Sequence, residues 1–499
     1  MQTVKYFGTD GIRGTYGTYP MTENFMTRLG YAVGTVLGHE ADAINEQPIV
    51  MIGRDTRQSG PALQEALTRG LTATGVIVWD LGILPTPGVA FLTRTHQASA
   101  GAVISASHNP AKQNGIKFFS SEGTKLSLEQ ELEIEAILEA TTLEDIAPMD
   151  ESKVFDRIDL QADYLSDLLS SQRGLRLNGK RILVDCSNGA AYRLAPRVLE
   201  VLGAEVLPIN TLSEGNMINV NAGSERARSN PAELAAIMKE KGADLAVAFD
   251  GDADRVIFLD ELGRLIDGDH ILAILADDLH AKDLLLADTL VTTVMANGAL
   301  KKYAESQGFK LKTTPVGDKY VTEALQQTQN DTGDFDKFGL GGEQSGHIIL
   351  LDKTHQTGDG LRTMVFVLAV VMNSKEQSLV MLADQIQKYP QLVASCDVAQ
   401  KIPLNEIKAL GARFETLGED LPGLVEMNSR YSGTENKYRL MLETDTRHTA
   451  EDLGRIAWEI CDLVQAETGT LAGSKIEVLN VADGGLIPRL KYIKQVKRS

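Results

Sequence analysis

The chain has 499 residues, 43% hydrophobic and 23% charged, the composition of a folded protein of three or four domains at roughly 150 residues each. Its 68 acidic against 49 basic side chains give a formal charge of −19. A surface that acidic repels phosphate backbones and anionic lipid, so neither nucleic acid nor membrane is an expected partner; a small anionic substrate is compatible, since a cluster of arginines reverses the field inside a cleft. Cys186, Cys396 and Cys461 are too few and too scattered for a disulfide framework or a Cys-x-x-Cys site, which points to a reducing cytoplasm. Residues 1–14 lack the apolar core and cleavage motif of a secretory leader. The longest purely apolar run, residues 364–372, is about half the length of a bilayer span.

Short β-branched runs alternate with helical stretches, the pattern of parallel α/β layers. Residues 49–52 predict a strand ending at Gly53-Arg54-Asp55, residues 61–73 a helix, and residues 76–79 and 102–104 further strands. The theme returns at 181–184, before Asp185-Cys186-Ser187-Asn188-Gly189, and at 245–249, before Asp250-Gly251-Asp252. Residues 290–294 open a third unit, and 320–325 read as the start of a helix. After Tyr389 the chain changes character, with alternation at 438–443 and a helix at 450–464, as in a smaller α+β domain. The expected division is 1–153, 154–260, 261–388 and 389–475, with 476–499 a C-terminal extension whose basic tail (Arg489, Lys491, Lys494, Lys497, Arg498) is read as solvated surface. In sheets of this kind the ligand-bearing loops follow the carboxyl ends of the strands, where these Asp/Gly clusters sit.

Four clusters carry chemistry. Ser105-Ala106-Ser107-His108-Asn109-Pro110 turns sharply after a strand and presents a serine; Ser107 and His108 are neighbours whose side chains are expected to diverge, and no Gly-x-Ser-x-Gly elbow is present, so a hydrolase triad is a poor reading. Asp250, Asp252 and Asp254 alternate, and on extended chain they would share one face and converge on a hard cation. An EF-hand is excluded because its sixth position is Arg255 rather than glycine and a strand, not a helix, precedes it. Gly341-Gly342-Glu343-Gln344-Ser345-Gly346-His347 is dense in groups that bond sugar hydroxyls. Arg430-Tyr431-Ser432-Gly433-Thr434-Glu435 joins hydroxyls, a glycine and a guanidinium fork suited to a phosphate; alone, it reads equally as a charged surface turn.

Taken together and in this order, the clusters resemble the α-D-phosphohexomutase superfamily over residues 4–468. Tyr6-Phe7-Gly8-Thr9-Asp10-Gly11-Ile12-Arg13-Gly14 and the Glu-Gln-Ser-Gly-His sugar loop resemble its bacterial branch acting on glucosamine phosphates, whereas phosphomannomutase/phosphoglucomutase relatives commonly show Met where Gln344 stands. The resemblance implies three related α/β domains with mixed sheets plus a smaller α+β C-terminal domain around one central cleft. It implies that Ser107 carries an activating phosphate and that Asp250, Asp252 and Asp254 hold Mg²⁺ with an oxygen of that phosphate. Lys117 and His347 match its candidates for proton transfer, and Arg13 and Arg255 border the transferring phosphate. His108, Glu343 and Ser345 would meet the sugar, while Arg430, Ser432, Gly433 and Thr434 would hold the phosphate that is not reacting.

The implied reaction interconverts glucosamine 6-phosphate and glucosamine 1-phosphate through a sugar 1,6-bisphosphate, feeding amino-sugar nucleotide and cell-wall precursor synthesis. Expected partners are small-molecule sugar phosphates, and a homodimer is compatible with the reading. Tyr431 and Asn436 stand where the superfamily usually has proline, residues 219–228 match a polar loop only in part, and the chain runs on past Thr468. The competing readings are a phosphoglucomutase or phosphomannomutase, and a non-catalytic sugar-phosphate sensor. A sensor is expected to have lost Ser107 or a carboxylate of the aspartate cluster, and all four are present.

Overall fold

The computed structural model describes residues 4–8, 10–42, 47–432, 436–471 and 473–489. Its first sheet comprises β1 (Ile12–Thr15), β2 (Ile49–Arg54), β3 (Ile77–Ile83), β4 (Ala100–Ile104), β5 (Gln113–Ser120) and β6 (Val154–Asp156), in the order β1-β5-β4-β2-β3-β6. β4, β2, β3 and β6 run parallel, while at one side β5 pairs antiparallel with β4 and β1 antiparallel with β5. Every residue of β4 is buried, as expected of a parallel strand covered on both faces. The helices Glu23–Asp42 and Gly60–Ala73 pack with their backbones in contact: a Cβ on Gly70 would lie 2.0 Å from the Thr27 carbonyl oxygen. The strand expected at 76–79 runs on to Ile83, through the polar Asp80 and through Gly82, with a register shift against β2 between Ile52 and Gly53.

The second sheet holds β7 (Arg181–Asp185), β8 (Glu205–Ile209), β9 (Leu245–Phe249), β10 (Val256–Leu259) and β11 (Leu265–Ile266), in the order β11-β10-β9-β7-β8. The third holds β12 (Leu285–Thr293), β13 (Lys310–Thr314), β14 (Phe338–Gly342) and β15 (Ile348–Leu351), in the order β13-β12-β14-β15. Both are mixed, with parallel pairs at the centre and an antiparallel hairpin bearing a functional loop: β9–β10 around the aspartates and β14–β15 around the Glu-Gln-Ser-Gly-His segment. β12 begins earlier than the sequence pattern predicts. A register shift between Leu285 and Leu290, with Ala287 and Asp288 at φ +53° and +49°, interrupts the alternation that marks a strand. The apolar run 364–372 belongs to the helix Gly360–Asn373, which Asp359 caps by accepting the Arg362 N–H at 2.9 Å.

The chain divides into two compact units, the first being Met1–Ala227, Ala232–Val294 and Ala304–Gln385, the second Arg228–Pro231, Met295–Tyr303 and Ile386–Ser499. The second unit is built on an antiparallel sheet of β16 (Gln391–Asp397), β17 (Leu424–Tyr431), β18 (Lys437–Thr444) and β19 (Ile476–Asn480), in the order β17-β18-β16-β19. The helix Ala450–Thr468 covers it, started by a capping box in which Thr449 and Asp452 satisfy each other's backbone N–H groups. Alternation along β18 sends Tyr438, Leu440 and Leu442 into a core shared with Ile456, Ile460 and Val464. The fold is thus three α/β domains with mixed sheets followed by a small α+β domain. Among the described residues no helix is long and apolar enough to cross a membrane, and the three cysteines are free and buried.

Candidate active site

The serine loop leaves the carboxyl end of β4 inside the first unit. Ser107 is buried, adopts a left-handed backbone at φ +50°, and donates from Oγ to Asp250 Oδ2 at 2.6 Å. Its amide donates to Ser105 Oγ at 2.9 Å, and Ser105 Oγ donates to Asp55 Oδ2 at 2.6 Å. Contrary to the expected divergence, His108 Nδ1 approaches Ser107 Oγ to 3.3 Å, because the left-handed turn swings the two neighbours to one side. No carboxylate is hydrogen-bonded to that imidazole among the described residues, so the pair lacks the third member of a triad. Burial, and next the Arg255 charge, push the His108 pKa down to about 4.

The aspartate loop faces this serine from β9. The three carboxylates converge, each offering an oxygen within 4.8 Å of the others. They do so through a turn and not on extended chain: Ala253 sits at φ +58° and its amide donates to the Asp250 carbonyl. The turn also lets the two loops touch, since a Cβ on Gly251 would fall 2.4 Å from the Ser107 carbonyl oxygen. Thr86 Oγ1 and Lys117 Nζ donate to Asp252 Oδ2 at 2.7 and 3.0 Å, and Lys117 Nζ donates to Asp254 Oδ2 at 3.1 Å. Asp252 Oδ1 and Asp254 Oδ1 are buried without a hydrogen-bond partner, the nearest basic group to the latter being the His347 imidazole at 3.7 Å. Orphaned anionic oxygens of this kind are costly unless a cation takes them, and an all-carboxylate donor set suits a hard divalent ion. Asp250 is pushed well above the usual carboxylate range by burial, then by Asp254 and Asp252.

A line of alternating charge runs outward from the aspartates. Lys117, buried on β5, pairs with Asp10 at 3.1 Å as well as with the two aspartates. Desolvation lowers its pKa, but Asp10, Asp252 and Asp254 outweigh it and hold the ammonium well above the usual range. Asp10 also pairs with Arg13 and, at 3.4 Å, with Lys125, which reaches Asp318 at 2.7 Å; Asp318 in turn lies 3.7 Å from His347 Nε2. Arg255 pairs with Glu225 at 3.1 Å and donates its amide to Asp250 Oδ1. Sequence reasoning picked out Lys117, Arg13, Arg255 and His347 but missed Asp10, Lys125, Asp318 and Glu225, whose roles depend on contacts between distant segments.

The sugar loop is stitched to the aspartate loop: the Val256 amide donates to the Gly346 carbonyl at 3.0 Å, and Arg255 and His347 form a β-bridge. Glu343 Oε1 accepts from the Gly317 amide at 3.1 Å, and Ser345 Oγ is buried with no hydrogen-bond partner. Gln344, the residue expected to report on the sugar, points away; its buried side chain donates to Asp269 Oδ2 at 2.9 Å and pins the loop to the helix Gly268–Ala281. Gln344 and Ser345 are the central residues of a turn closed by the Gly346 amide on the Glu343 carbonyl at 3.0 Å, and within that turn the Gln344 side chain is the one held on the helix.

In the second unit, Arg430 lies on β17 opposite Arg439 of β18. Ser432 is buried, donates its amide to the Lys437 carbonyl at 2.8 Å and accepts from Lys401 Nζ at 2.7 Å through its own carbonyl. Gly433 and Thr434 lie outside the described residues, as do Lys491, Lys494, Lys497 and Arg498 of the basic tail. Tyr431, in the place of the usual proline, packs edge-on against Tyr438 with ring centroids 6.1 Å apart.

Three family descriptions match this architecture in order: phosphoglucomutase/phosphomannomutase alpha/beta/alpha domain I at residues 4–145, domain II at 162–263 and domain III at 267–389. The chain belongs to the phosphoglucomutase/phosphomannomutase family of phosphosugar mutases. Within it, the phosphoglucosamine mutase of Methylobacillus flagellatus is 42% identical over 470 residues, covering 93% of this chain and 99% of the relative. That of Syntrophotalea carbinolica is 41% identical over 468 residues, covering 93% and 98%. Among solved structures, a phosphoglucomutase/phosphomannomutase family protein from Burkholderia thailandensis superposes with a TM-score of 0.71 at 23% identity, covering 95% of this chain and all of that one. N-acetylphosphoglucosamine mutase from Aspergillus fumigatus gives 0.64 at 17% identity over 94% and 96%. At these identities the two structures speak for the fold.

Proposed function

We propose that the chain interconverts glucosamine 6-phosphate and glucosamine 1-phosphate in the cytoplasm, with Ser107 as the phosphoryl carrier, so feeding amino-sugar nucleotide and cell-wall precursor synthesis. The observation that carries this reading is the Ser107 hydroxyl, buried and 2.6 Å from a three-carboxylate cluster with two unpartnered oxygens. Phospho-Ser107 donates its phosphoryl group to a hydroxyl of the sugar monophosphate; the bond from phosphorus to the serine oxygen breaks as that to the sugar oxygen forms, giving the 1,6-bisphosphate. The bisphosphate then turns over and returns its other phosphate to Ser107. Asp250, Asp252 and Asp254 are the residues that would hold Mg²⁺, which when bound supplies positive charge to the phosphoryl oxygens.

Lys117, held between Asp10, Asp252 and Asp254, and His347, whose buried Nε2 makes no hydrogen bond and lies 3.7 Å from Asp318, handle the protons of the departing and attacking oxygens. Arg13 and Arg255 balance the charge of the transferring group. His108, Glu343 and Ser345 hold the sugar, and Arg430, Ser432, Gly433 and Thr434 take the phosphate that is not reacting. Assays on glucosamine, glucose and mannose phosphates side by side test the substrate. Glucosamine phosphates are expected to lead in kcat/KM; equal or better use of glucose 1-phosphate overturns the amino-sugar reading and leaves the family in place.

A further inference from the structure

Arg57 is among the largest fully buried side chains of the molecule, and its hydrogen bonds go to one place. Nε donates to Asp55 Oδ2 at 2.9 Å. Nη1 donates to the carbonyls of Pro110 and Gln113 at 2.7 and 2.9 Å, and Nη2 to those of Ser107 and Asn109, both at 2.8 Å. From the second α/β domain, Asn219 Nδ2 donates to the same Ser107 and Asn109 carbonyls, again at 2.8 Å. Its amide is oriented by Ser187, whose Oγ donates to Asn219 Oδ1 at 2.6 Å, and the Asn219 N–H donates to the Ser187 carbonyl at 2.9 Å. Donors from two domains thus converge on the peptide of a serine held in an uncommon left-handed backbone at φ +50°. A buried arginine that served only to neutralise Asp55 would have no need of four carbonyls from a single loop.

We propose that Arg57 and Asn219 are positioning residues of phosphoryl transfer: they grip the main chain on both sides of His108 and so aim Ser107 Oγ, and the phosphate it carries, at the aspartate loop. Arg57 fixes the loop to its own sheet, and Asn219 registers it against the domain that supplies the carboxylates. Neither side chain touches the reacting atoms. The proposal rests on Ser107 being the phosphoryl carrier.

The test is steady-state kinetics on purified full-length Asn219→Ala, Arg57→Lys and the double variant, with thermal unfolding and the mass of the Ser107 peptide after loading with glucose 1,6-bisphosphate. Arg57→Lys keeps a charge beside Asp55, so the fold is retained, but an ammonium cannot span four carbonyls. Expected are a fall in kcat of about tenfold for Asn219→Ala and about a hundredfold for Arg57→Lys, with KM for the sugar phosphate within about twofold. Ser107 still accepts phosphate in both, and the double variant loses less than the product of the single losses because the two share carbonyls. Wild-type kcat in a folded Asn219→Ala, or a loss lying wholly in KM, overturns the positioning role while phospho-Ser107 turnover in the wild type leaves the mutase reading standing. A wild type that turns over without phosphate on Ser107 overturns both.

Discussion

The loop carrying Ser107 and the loop carrying Glu343 and Ser345 both sit at strand ends of the first unit, yet they are held by different means. The serine loop is gripped through its carbonyl oxygens by Arg57 and Asn219, with its side chain already engaged on Asp250. The sugar loop is anchored by its middle residue, Gln344 on Asp269, and by the Gly346 carbonyl, while Ser345 Oγ is left without a partner. On the proposed function, the loop that carries the phosphoryl group is fixed with its reacting hydroxyl on Asp250, whereas the loop that would meet the sugar is fixed through Gln344 and leaves Ser345 Oγ for the ligand. On that proposal, this contrast would let one unit hold a rigid donor and still accept a sugar in two orientations.

The sharpest way to break that contrast is Ser107→Ala. The side chain is a small buried hydroxyl, so the fold should survive with little change in Tm, while turnover falls by at least about 10⁴-fold. Retention of near-wild-type activity in the purified variant would mean that the serine loop is no donor at all.

Removal of the cation is expected to come next. Excess chelator should stop the reaction and added Mg²⁺ restore it, and Asp252→Asn should lower kcat by about a hundredfold or more while weakening metal binding by calorimetry. Ca²⁺ should bind yet support turnover poorly, because its looser coordination fixes phosphate oxygens less well. Full activity in chelator would leave the orphaned Oδ1 atoms of Asp252 and Asp254 without an explanation.

Arg430→Ala carries the comparison to the second unit. Loss of one charge-assisted, forked contact to phosphate is worth on the order of 1.5–3 kcal/mol, or roughly ten- to a hundred-and-fifty-fold in kcat/KM in both directions, with only partial rescue by lysine. Normal kcat/KM for both monophosphates would make the segment a surface turn. The smallest effect belongs to Gln344→Met. Because this side chain is buried on Asp269 and faces away from Glu343 and Ser345, the substitution should lower Tm by a few degrees and leave the glucosamine-to-glucose preference within about threefold. A change of preference by tenfold or more would show that Gln344 reads the sugar directly.

Much of the architecture was legible because strands ending in Asp/Gly clusters are a local pattern: 49–52, 181–184 and 245–249 each appear close to where the strands lie. The aspartates were legible for the same reason, although their convergence comes from the left-handed Ala253 and not from extended chain, a difference that residue types alone do not encode. Arg57, Asn219, Lys125 and Asp318 were not legible. Arg57 meets the serine loop from 50 residues away, Asn219 from 112, and Lys125 meets Asp318 across 193. An arginine in Asp-Thr-Arg looks like surface until the fold buries it, and Gln344 looks like a sugar ligand until the turn between β14 and β15 sets its side chain on Asp269.

The most direct test of the central claim is the phosphorylation state of Ser107 during turnover. Enzyme stripped of phosphate should be inactive on glucosamine 6-phosphate. After treatment with a sugar 1,6-bisphosphate it should gain one phosphate, mapped to the Ser107 peptide by mass spectrometry, and regain activity in proportion to that occupancy. Full activity of the stripped enzyme with Ser107 unmodified throughout would contradict the account.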